Sequence, residues 1–375
     1  MEKIYTALGL MSGTSGDGVD ASVISSDGFG DYNEVINEYF KYDQKIHENL
    51  HNLKGKILKI DDLKKYENEI NILEREITLF HAKIVNEILQ LTDRKIDFLG
   101  FHGQTIYHNP LEKISKQIGD GKLLSQLTKK TVIYNFRQND IENGGEGAPL
   151  APLFHSLIVK KKKIELPVCV LNIGGIANVT LISQYDENNL LSRDLGPGNC
   201  LIDEWVRNNT KDKFDNNGDI AKKGKTNELI LNQALDNFEN RTNQSTLSFD
   251  TKDFSLGFVR GLSLEDGAST LTDFTGTVIA HELLKFLSKE QDKSWKVLVC
   301  GGGSKNLTLL KKIQDKLPKN FSIYDIKKFG IDGDYVESQT FAFLAIRSFL
   351  KLPISFPSTT GCKKPSSGGV ITENF

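Results

Sequence analysis

A strand, a turn of small polar residues and a second strand occur twice in this chain of 375 residues. The first copy spans 4–24, where apolar residues alternate on both sides of "MSGTSGDG", as expected of half-buried β-strands. The second begins at 167, where an apolar run meets the turn 172–175 and a further strand follows over 177–182. This repetition predicts an α/β protein with two similar lobes and a central cleft.

Glycine-rich turns follow three of the predicted strands, at 13–18, 174–175 and 301–303. Glycine lets the backbone turn sharply and direct N–H groups at an anion, so each turn is a candidate phosphate site. The alternative is that these glycines serve only the turns. Three such turns are more than packing usually requires, and ligands of α/β sheets gather where glycine-rich turns leave the carboxyl ends of strands.

Helical periodicity is present in four longer segments, 43–92, 227–239, 266–290 and 334–350. Asp61 or Asp62 is a candidate cap for the first of them. A short strand that ends in a polar glycine turn is predicted over 95–110, closed by Pro110. Strands and helices thus alternate along the chain, which favours mixed sheets covered by helices.

The composition excludes several classes of protein. Forty-seven basic and 49 acidic side chains give a net charge of −2, which argues against a general nucleic-acid binder. No apolar stretch approaches the ~20 residues that span a bilayer, and the first residues do not form a signal peptide. The four cysteines lack a C-x-x-C pair, so reduced thiols in the cytoplasm fit better than a zinc site or disulfides.

Seven segments in order resemble the anhydro-N-acetylmuramic acid kinase family, which belongs to the sugar kinase, hsp70 and actin superfamily. They are "GLMSGTSGDGVD", "FHGQT", "NFR…GGEGAPL", "LNIGGIANVT", "DLGPGNCLID", "CGGGSKN" and "GDYVESQTFAFLA". The resemblance runs from residue 6 to about 371. It implies a two-lobed actin-like ATPase fold with duplicated mixed-sheet domains. We expect lobes at 1–137 and 138–349, with 350–375 as a candidate completion of the first.

The resemblance also implies a reaction. An ATP-dependent kinase of this family opens the bridge of a 1,6-anhydro sugar while water attacks C1, and phosphorylates O6. The expected sugar is 1,6-anhydro-N-acetylmuramic acid, giving N-acetylmuramic acid 6-phosphate in cell-wall recycling. Alternatives are levoglucosan or another anhydro sugar, and a non-catalytic nucleotide-binding regulator of the same fold. Expected partners are the sugar, ATP with Mg²⁺ and a second copy of the chain, without nucleic acid or membrane.

The resemblance assigns the nucleotide to the glycine-rich turns. The expected ATP-binding residues are Gly13, Thr14, Ser15, Gly16, Asp17, Gly18, Val19, Asp20, Gly174, Gly175, Gly302 and Gly303. Like charges repel, so the two aspartates do not bind phosphate directly. Asp17 suits hydrated Mg²⁺, which prefers carboxylate oxygens and water. Asp20 is an alternative brace of the turn, and 301–303 also fits a strand-to-helix turn with Asn306 near the cap.

For the chemistry, the resemblance points to Asp194 as the base that deprotonates water. Asp203 is expected to support the fold or the metal, and His155 the packing of its helix. The expected sugar-binding residues are His102, Gln104, Thr105, Arg137 and Glu337. Arg137 is the natural partner for the carboxylate of a sugar acid, through its bidentate fork.

Two positions depart from the family pattern. Leu195 stands where a hydroxyl residue usually follows the base, and Glu146 stands where glutamine is common. The segment 241–254 matches the family only in part. Both substitutions are expected to retune the sugar pocket, and neither touches the nucleotide turns.

Overall fold

A computed structural model describes residues 3–242, 248–287 and 293–375. The strands are β1 Tyr5–Ser12, β2 Gly18–Ser26, β3 Tyr32–Lys41, β4 Phe98–Asn109, β5 Ile114–Ile118, β6 Thr131–Tyr134, β7 Val168–Ile173, β8 Ile176–Ile182, β9 Leu191–Pro197, β10 Trp295–Cys300, β11 Phe321–Asp325 and β12 Val370–Thr372. The α-helices are α1 Gln44–Lys56, α2 Ile60–Lys65, α3 Glu67–Gln90, α4 Gly121–Thr128, α5 Gln138–Glu142, α6 Pro152–Lys161, α7 Cys200–Asn209, α8 Asp219–Lys223, α9 Glu228–Thr242, α10 Leu264–Phe286, α11 Leu307–Lys316, α12 Val336–Phe349 and α13 Pro357–Thr360. Short 3₁₀ helices lie at Pro110–Glu112, Glu187–Asn189, Asn216–Gly218, Thr251–Asp253, Leu256–Val259, Gly302–Lys305 and Ile326–Phe329.

The chain forms two compact units. Unit 1 is Met1–Lys163 with Asp334–Phe375, and unit 2 is Ile164–Gly333. These limits do not coincide with the lobe boundaries expected at 137/138 and 349/350. The physical reason is packing: α6 contributes Phe154, whose ring meets Tyr32 at 5.0 Å and Phe343 at 5.6 Å, and α12 lies on the sheet of unit 1.

Unit 1 is built on a seven-stranded mixed sheet with the order β12-β6-β4-β1-β2-β3, and β5 pairs with β4. Strands β1, β4 and β6 are parallel, whereas β2 and β3 follow β1 in antiparallel pairing. A buried cluster that includes Leu8, Leu50, Ile77 and Leu99 joins this sheet to α1 and α3.

Unit 2 is built on a five-stranded sheet with the order β11-β10-β7-β8-β9. Strands β7, β10 and β11 are parallel, and β8 and β9 follow β7 in antiparallel pairing. This order repeats β6-β4-β1-β2-β3 of unit 1 strand for strand. The predicted α/β class with duplicated mixed-sheet domains is therefore confirmed.

Helix α12 lies so close to β1 and β4 that two strand positions require glycine. A Cβ at Gly9 would stand 1.9 Å from the Ser338 carbonyl oxygen, and one at Gly100 would stand 2.2 Å from that of Phe341. Real Cβ atoms do not approach backbone this closely, so any side chain at either position would push the helix off the sheet.

Two predicted elements are wrong in detail. The helix expected over 43–92 is broken into α1, α2 and α3, because the Asp62 carboxylate accepts the N–H groups of Leu58 and Lys59 and starts a new helix there. The turn expected within 95–110 does not form. β4 instead runs through Gly103, whose φ of +73° accommodates a bulge in its pairing. None of the helices in the described ranges is sufficiently long and apolar to cross a membrane.

Candidate active site

The first glycine-rich turn joins β1 to β2 at the carboxyl end of β1. The N–H of Gly16 donates to the Gly13 carbonyl at 3.1 Å and closes the turn. Gly16 has a φ of +62°, and a Cβ there would meet the Leu50 side chain at 2.6 Å. Thr14 and Ser15 are exposed, so the tip of the turn presents its two hydroxyl residues to solvent.

Gln104 braces this turn from β4. Its Oε1 accepts from the Ser12 hydroxyl at 2.5 Å, and its Nε2 donates to the Gly13 carbonyl at 3.0 Å. The side chain is fully buried. The structure therefore places Gln104, expected to bind sugar, against the first glycine-rich turn.

The charges of Asp17 and Asp20 both act on the side chain of Tyr39. Burial, followed by the charges of these two aspartates, raises the pKa of Tyr39. Asp17 is partly exposed and its Oδ1 lies 3.9 Å from His47 Nδ1. Asp20 is partly buried on β2, whereas the side chain of Val19 is wholly in the core, which leaves only its backbone for a ligand.

The described residues contain no cluster of three or more acidic, histidine or cysteine side chains that could enclose a metal ion. A site for hydrated Mg²⁺ does not need such a cluster, because this ion keeps several waters and takes one or two carboxylates together with phosphate oxygens. A partly exposed Asp17 beside the turn fits that requirement.

His102 and Arg137 are joined by a hydrogen bond. The Nε of Arg137 donates to His102 Nε2 at 3.1 Å, and Nδ1 of the histidine donates to the Gly103 carbonyl at 2.8 Å. Burial, together with the Arg137 guanidinium, lowers the pKa of His102 to about 3. The histidine is thus neutral, and its single ring proton is on Nδ1.

The other end of Arg137 is held by the loop 144–147. Its Nη1 donates to the Gly147 carbonyl at 2.8 Å. The loop is held in turn by the buried carboxylate of Asp140, which accepts from the Gly147 N–H at 2.7 Å and from the Thr360 hydroxyl at 2.7 Å. Glu146 lies on this loop, half-buried, with its N–H on the Thr360 carbonyl at 2.8 Å.

A pocket of about 370 Å³ opens beside His102 within unit 1. Its wall includes Glu74, Lys116, Asn135 and Gln138. Such a wall offers both hydrogen-bond donors and acceptors, as a sugar requires.

The other two residues expected to bind sugar lie elsewhere in unit 1. Thr105 accepts from the Gln117 side chain at 3.1 Å, and Gln117 also lines the pocket. Glu337 is half-buried in the first turn of α12. Of the expected sugar residues, the structure thus joins His102 directly to Arg137.

In unit 2, the turn after β7 is tied to the start of α7. The Gly174 carbonyl accepts the Asn199 N–H at 2.7 Å, and the Gly175 carbonyl accepts the Gly198 N–H at 2.9 Å. Both carbonyls thus accept hydrogen bonds from the residues just before α7, as the Gly13 carbonyl of the first turn accepts from Gln104.

The third glycine-rich turn packs on the end of β7. A Cβ at Gly301 would lie 2.3 Å from Asn172 Oδ1, and one at Gly303 would lie 2.3 Å from the Ile173 side chain. A Cβ at Gly302 would meet nothing nearer than 3.6 Å. The Asn306 side chain caps α11 by accepting the Leu309 N–H at 2.9 Å, so the predicted strand-to-helix turn is confirmed.

Asp194 lies on β9, 6% exposed, and its Oδ2 accepts the Phe249 N–H at 2.8 Å. The next residue, Leu195, is fully buried in the core cluster of unit 2, together with residues of β7, β10 and α10. The position at which the family usually has a hydroxyl is therefore part of the core of this unit. Within the partly matching segment 241–254, residues 243–247 lie outside the described residues.

Sequence reasoning missed two residues of these arrangements. Phe249 holds Asp194 through its backbone N–H, which carries no side-chain signal. Asp140 organises the loop around Arg137, and the glycines of "GGEG" were its only hint, since a Cβ at Gly145 would stand 2.2 Å from its Oδ2.

His155 is buried in α6 and burial lowers its pKa to about 4, as its predicted packing role requires. Asp203 lies in the first turn of α7.

Comparisons with known proteins agree over the whole chain. A sequence model described as "Anhydro-N-acetylmuramic acid kinase" matches residues 5–374. Two proteins named anhydro-N-acetylmuramic acid kinase are similar to this chain. That of Pelagibacter ubique (strain HTCC1062) is 58% identical over 375 residues and 100% of both chains. That of Zymomonas mobilis subsp. mobilis is 38% identical over 97% of this chain and 99% of its own.

Among solved structures, the activator of the 2-hydroxyisocaproyl-CoA dehydratase from Clostridium difficile with bound ADPNP aligns with 91% of this chain and 94% of its own, at 12% identity and a TM-score of 0.39. A likeness at this level does not bear on function. The match to the family model over residues 5–374 and the two similar proteins, 58% and 38% identical over nearly the whole chain, show the family. This chain belongs to the anhydro-N-acetylmuramic acid kinase family.

Proposed function

We propose that this chain is an ATP-dependent kinase that opens the anhydro ring of 1,6-anhydro-N-acetylmuramic acid and phosphorylates its O6. The observation that carries the proposal is the 58% identity, over full length, to a protein named for this activity. The chain also has a candidate base at Asp194, candidate phosphate-binding turns and a candidate carboxylate-binding side chain at Arg137.

The chemistry requires a base and a phosphoryl donor. Water attacks C1, the C1–O6 bond breaks, O6 takes the γ-phosphoryl group of ATP and ADP leaves. Asp194 accepts the proton that the attacking water loses. Its carboxylate is held in one orientation by the Phe249 N–H, which a general base needs if it is to reach a single water molecule.

The glycine-rich turns bind the phosphates of ATP. Phosphoryl transfer depends mainly on positioning and on neutralising charge. The turn 13–17 offers backbone N–H groups and the exposed hydroxyls of Thr14 and Ser15. Asp17 would hold hydrated Mg²⁺, which neutralises charge on the phosphates when bound. In unit 2, the glycines at 174–175 and 302–303 let backbone approach the nucleotide.

The sugar acid is bound by Arg137. A guanidinium presents five donors in a rigid fork that matches a carboxylate. His102 and the Gly147 carbonyl hold two of its nitrogens, so the side chain is pre-oriented before substrate arrives. This arrangement supports a sugar with a lactyl carboxylate over levoglucosan, which has none. We place the reaction in the cytoplasm, where ATP is available. That the chain forms a homodimer remains a prediction.

The test is a coupled assay of ADP release with four sugars: 1,6-anhydro-N-acetylmuramic acid, levoglucosan, N-acetylglucosamine and glucose. We expect turnover on the first to exceed that on the others by at least tenfold. Asp194→Asn should retain ATP binding and lose nearly all turnover, because removing a general base costs about 10²–10⁴-fold. Asp315→Asn, at an exposed position of α11, is the matched control and should change turnover little. Equal turnover of Asp194→Asn and the wild type would overturn the proposal.

A further inference from the structure

We propose that α1 is a brace of the first phosphate turn, and that His47 and Lys54 are positioning residues that set the direction of its N–H groups. The inference rests on the proposed function, because it assumes that the turn 13–17 receives the phosphates of ATP. It assigns a task to a helix that the sequence predicts only as part of the longer helical segment 43–92.

The spacing along α1 places these side chains on one face. His47, Leu50 and Lys54 are separated by three and four residues, which on an α-helix brings them into one row. The helix begins at an Asp43 cap, where the carboxylate accepts the Ile46 N–H at 2.8 Å. Leu50 is fully buried and fills the space directly beneath Gly16, where a Cβ would meet it. The row therefore lies against the turn.

His47 and Lys54, the two polar side chains of this row, each donate a hydrogen bond to a carbonyl oxygen of the turn. His47 Nδ1 donates to the Gly16 carbonyl at 3.1 Å, and Lys54 Nζ donates to the Thr14 carbonyl at 2.7 Å. The Gly13 carbonyl is already taken by Gln104. Three of the carbonyls in this short turn are thus directed back into unit 1.

Fixing the carbonyls has a consequence for anion binding. In a tight turn, successive peptide units can direct their N–H groups together to form an anion-binding concavity. A carbonyl that swung outward would bring its negative end toward the phosphates. Holding the Thr14 and Gly16 carbonyls inward therefore maintains the orientation that binds phosphate. The charge of Lys54 adds a favourable field for an anion.

The experiment measures ATP affinity and steady-state kinetics for Lys54→Met, which keeps the aliphatic stem and removes the donor. We expect the dissociation constant and KM for ATP to rise roughly three- to tenfold, the range for loss of one hydrogen bond, with the KM for the sugar and the melting temperature unchanged. Lys56→Met is the matched control. Lys56 lies on the same helix but pairs with Glu69 at 2.7 Å, so its replacement should leave ATP binding at the wild-type value.

A second pair of variants tests His47. His47→Phe removes the donor to Gly16 and should weaken ATP binding, whereas His47→Asn retains an N–H donor and should restore part of the affinity. If Lys54→Met and His47→Phe bind ATP as tightly as the wild type, the brace is refuted while the kinase assignment stands. If the wild type itself fails to bind ATP in the same titration, the proposed function falls, and the brace with it.

Discussion

Arg137 donates its Nε–H to the Nε2 of a neutral, buried His102 at 3.1 Å. Because burial and the adjacent guanidinium together lower the pKa of His102 to about 3, the histidine remains an acceptor throughout the physiological pH range. The arginine side chain, a flexible group in most surroundings, is therefore fixed at Nε, while the Gly147 carbonyl holds Nη1. An oriented fork suits bidentate binding of a carboxylate.

Replacing His102 should therefore weaken binding of the sugar acid. We expect His102→Leu to raise the KM for 1,6-anhydro-N-acetylmuramic acid about tenfold and to leave the KM for ATP unchanged, since the Arg137 fork loses its anchor but not its charge. The KM for levoglucosan should rise much less, because that sugar has no carboxylate. His108→Leu, on the same strand, is the control. A parallel loss on both sugars would contradict a role in carboxylate binding.

The turns could be predicted from sequence because small residues at a turn and alternating apolar flanks are local signals. The sheets follow from the same signals, repeated in two halves. What surrounds the turns could not be read in this way. Gln104 belongs to the segment "FHGQT", which is expected to bind sugar. Its amide is directed to Gly13, since the bulge in the pairing of β4 at Gly103 decides which way it points.

Leu195 gives the same lesson. The sequence places it beside the expected base, which suggested an altered sugar pocket. β9 has an irregularity in its pairing with β8 at this point, between the partners of Ala177 and Asn178, and Leu195 packs into the core of unit 2. Contacts between distant segments were also beyond the sequence: the Phe249 N–H reaches Asp194 across 55 positions.

This hydrogen bond supports a second prediction, made with two substitutions at one position. Phe249→Pro removes the backbone N–H, whereas Phe249→Ala keeps it and loses only the ring. The centroid of that ring lies 6.2 Å from that of Phe238 and 5.7 Å from that of Phe254. We expect kcat to fall at least tenfold for the proline variant, because the Asp194 carboxylate is no longer oriented, with the KM for ATP unchanged. The alanine variant should retain most of its kcat. Equal kcat values for the two variants would show that the N–H does not matter.

Three buried histidines make stability depend on pH. Burial lowers the pKa of His81 and His155 to about 4 and is the main cause of the value of about 3 at His102, against an ordinary value of 6.5. Below pH 6.5 these histidines are protonated in the unfolded chain and stay neutral in the folded chain. Each histidine therefore contributes stability that is fully present above about pH 6.5 and is lost as the pH falls toward 4.

His81 is the best position at which to test this dependence. Its Nδ1 donates to the Ile77 carbonyl at 2.8 Å, and its ring centroid lies 4.9 Å from that of Phe101. Its Nε2 is buried and has no hydrogen-bond partner among the residues that the structure describes. Between pH 7 and pH 5 the wild type should lose roughly 1–2 kcal/mol of unfolding free energy for each buried histidine. His81→Leu should lose less by about one histidine's share, because leucine takes up no proton. Urea unfolding at the two pH values measures the difference. Exposed His51→Leu is the control and should keep the wild-type dependence, whereas an equal loss in His81→Leu and the wild type would mean that this ring is not protonated on unfolding.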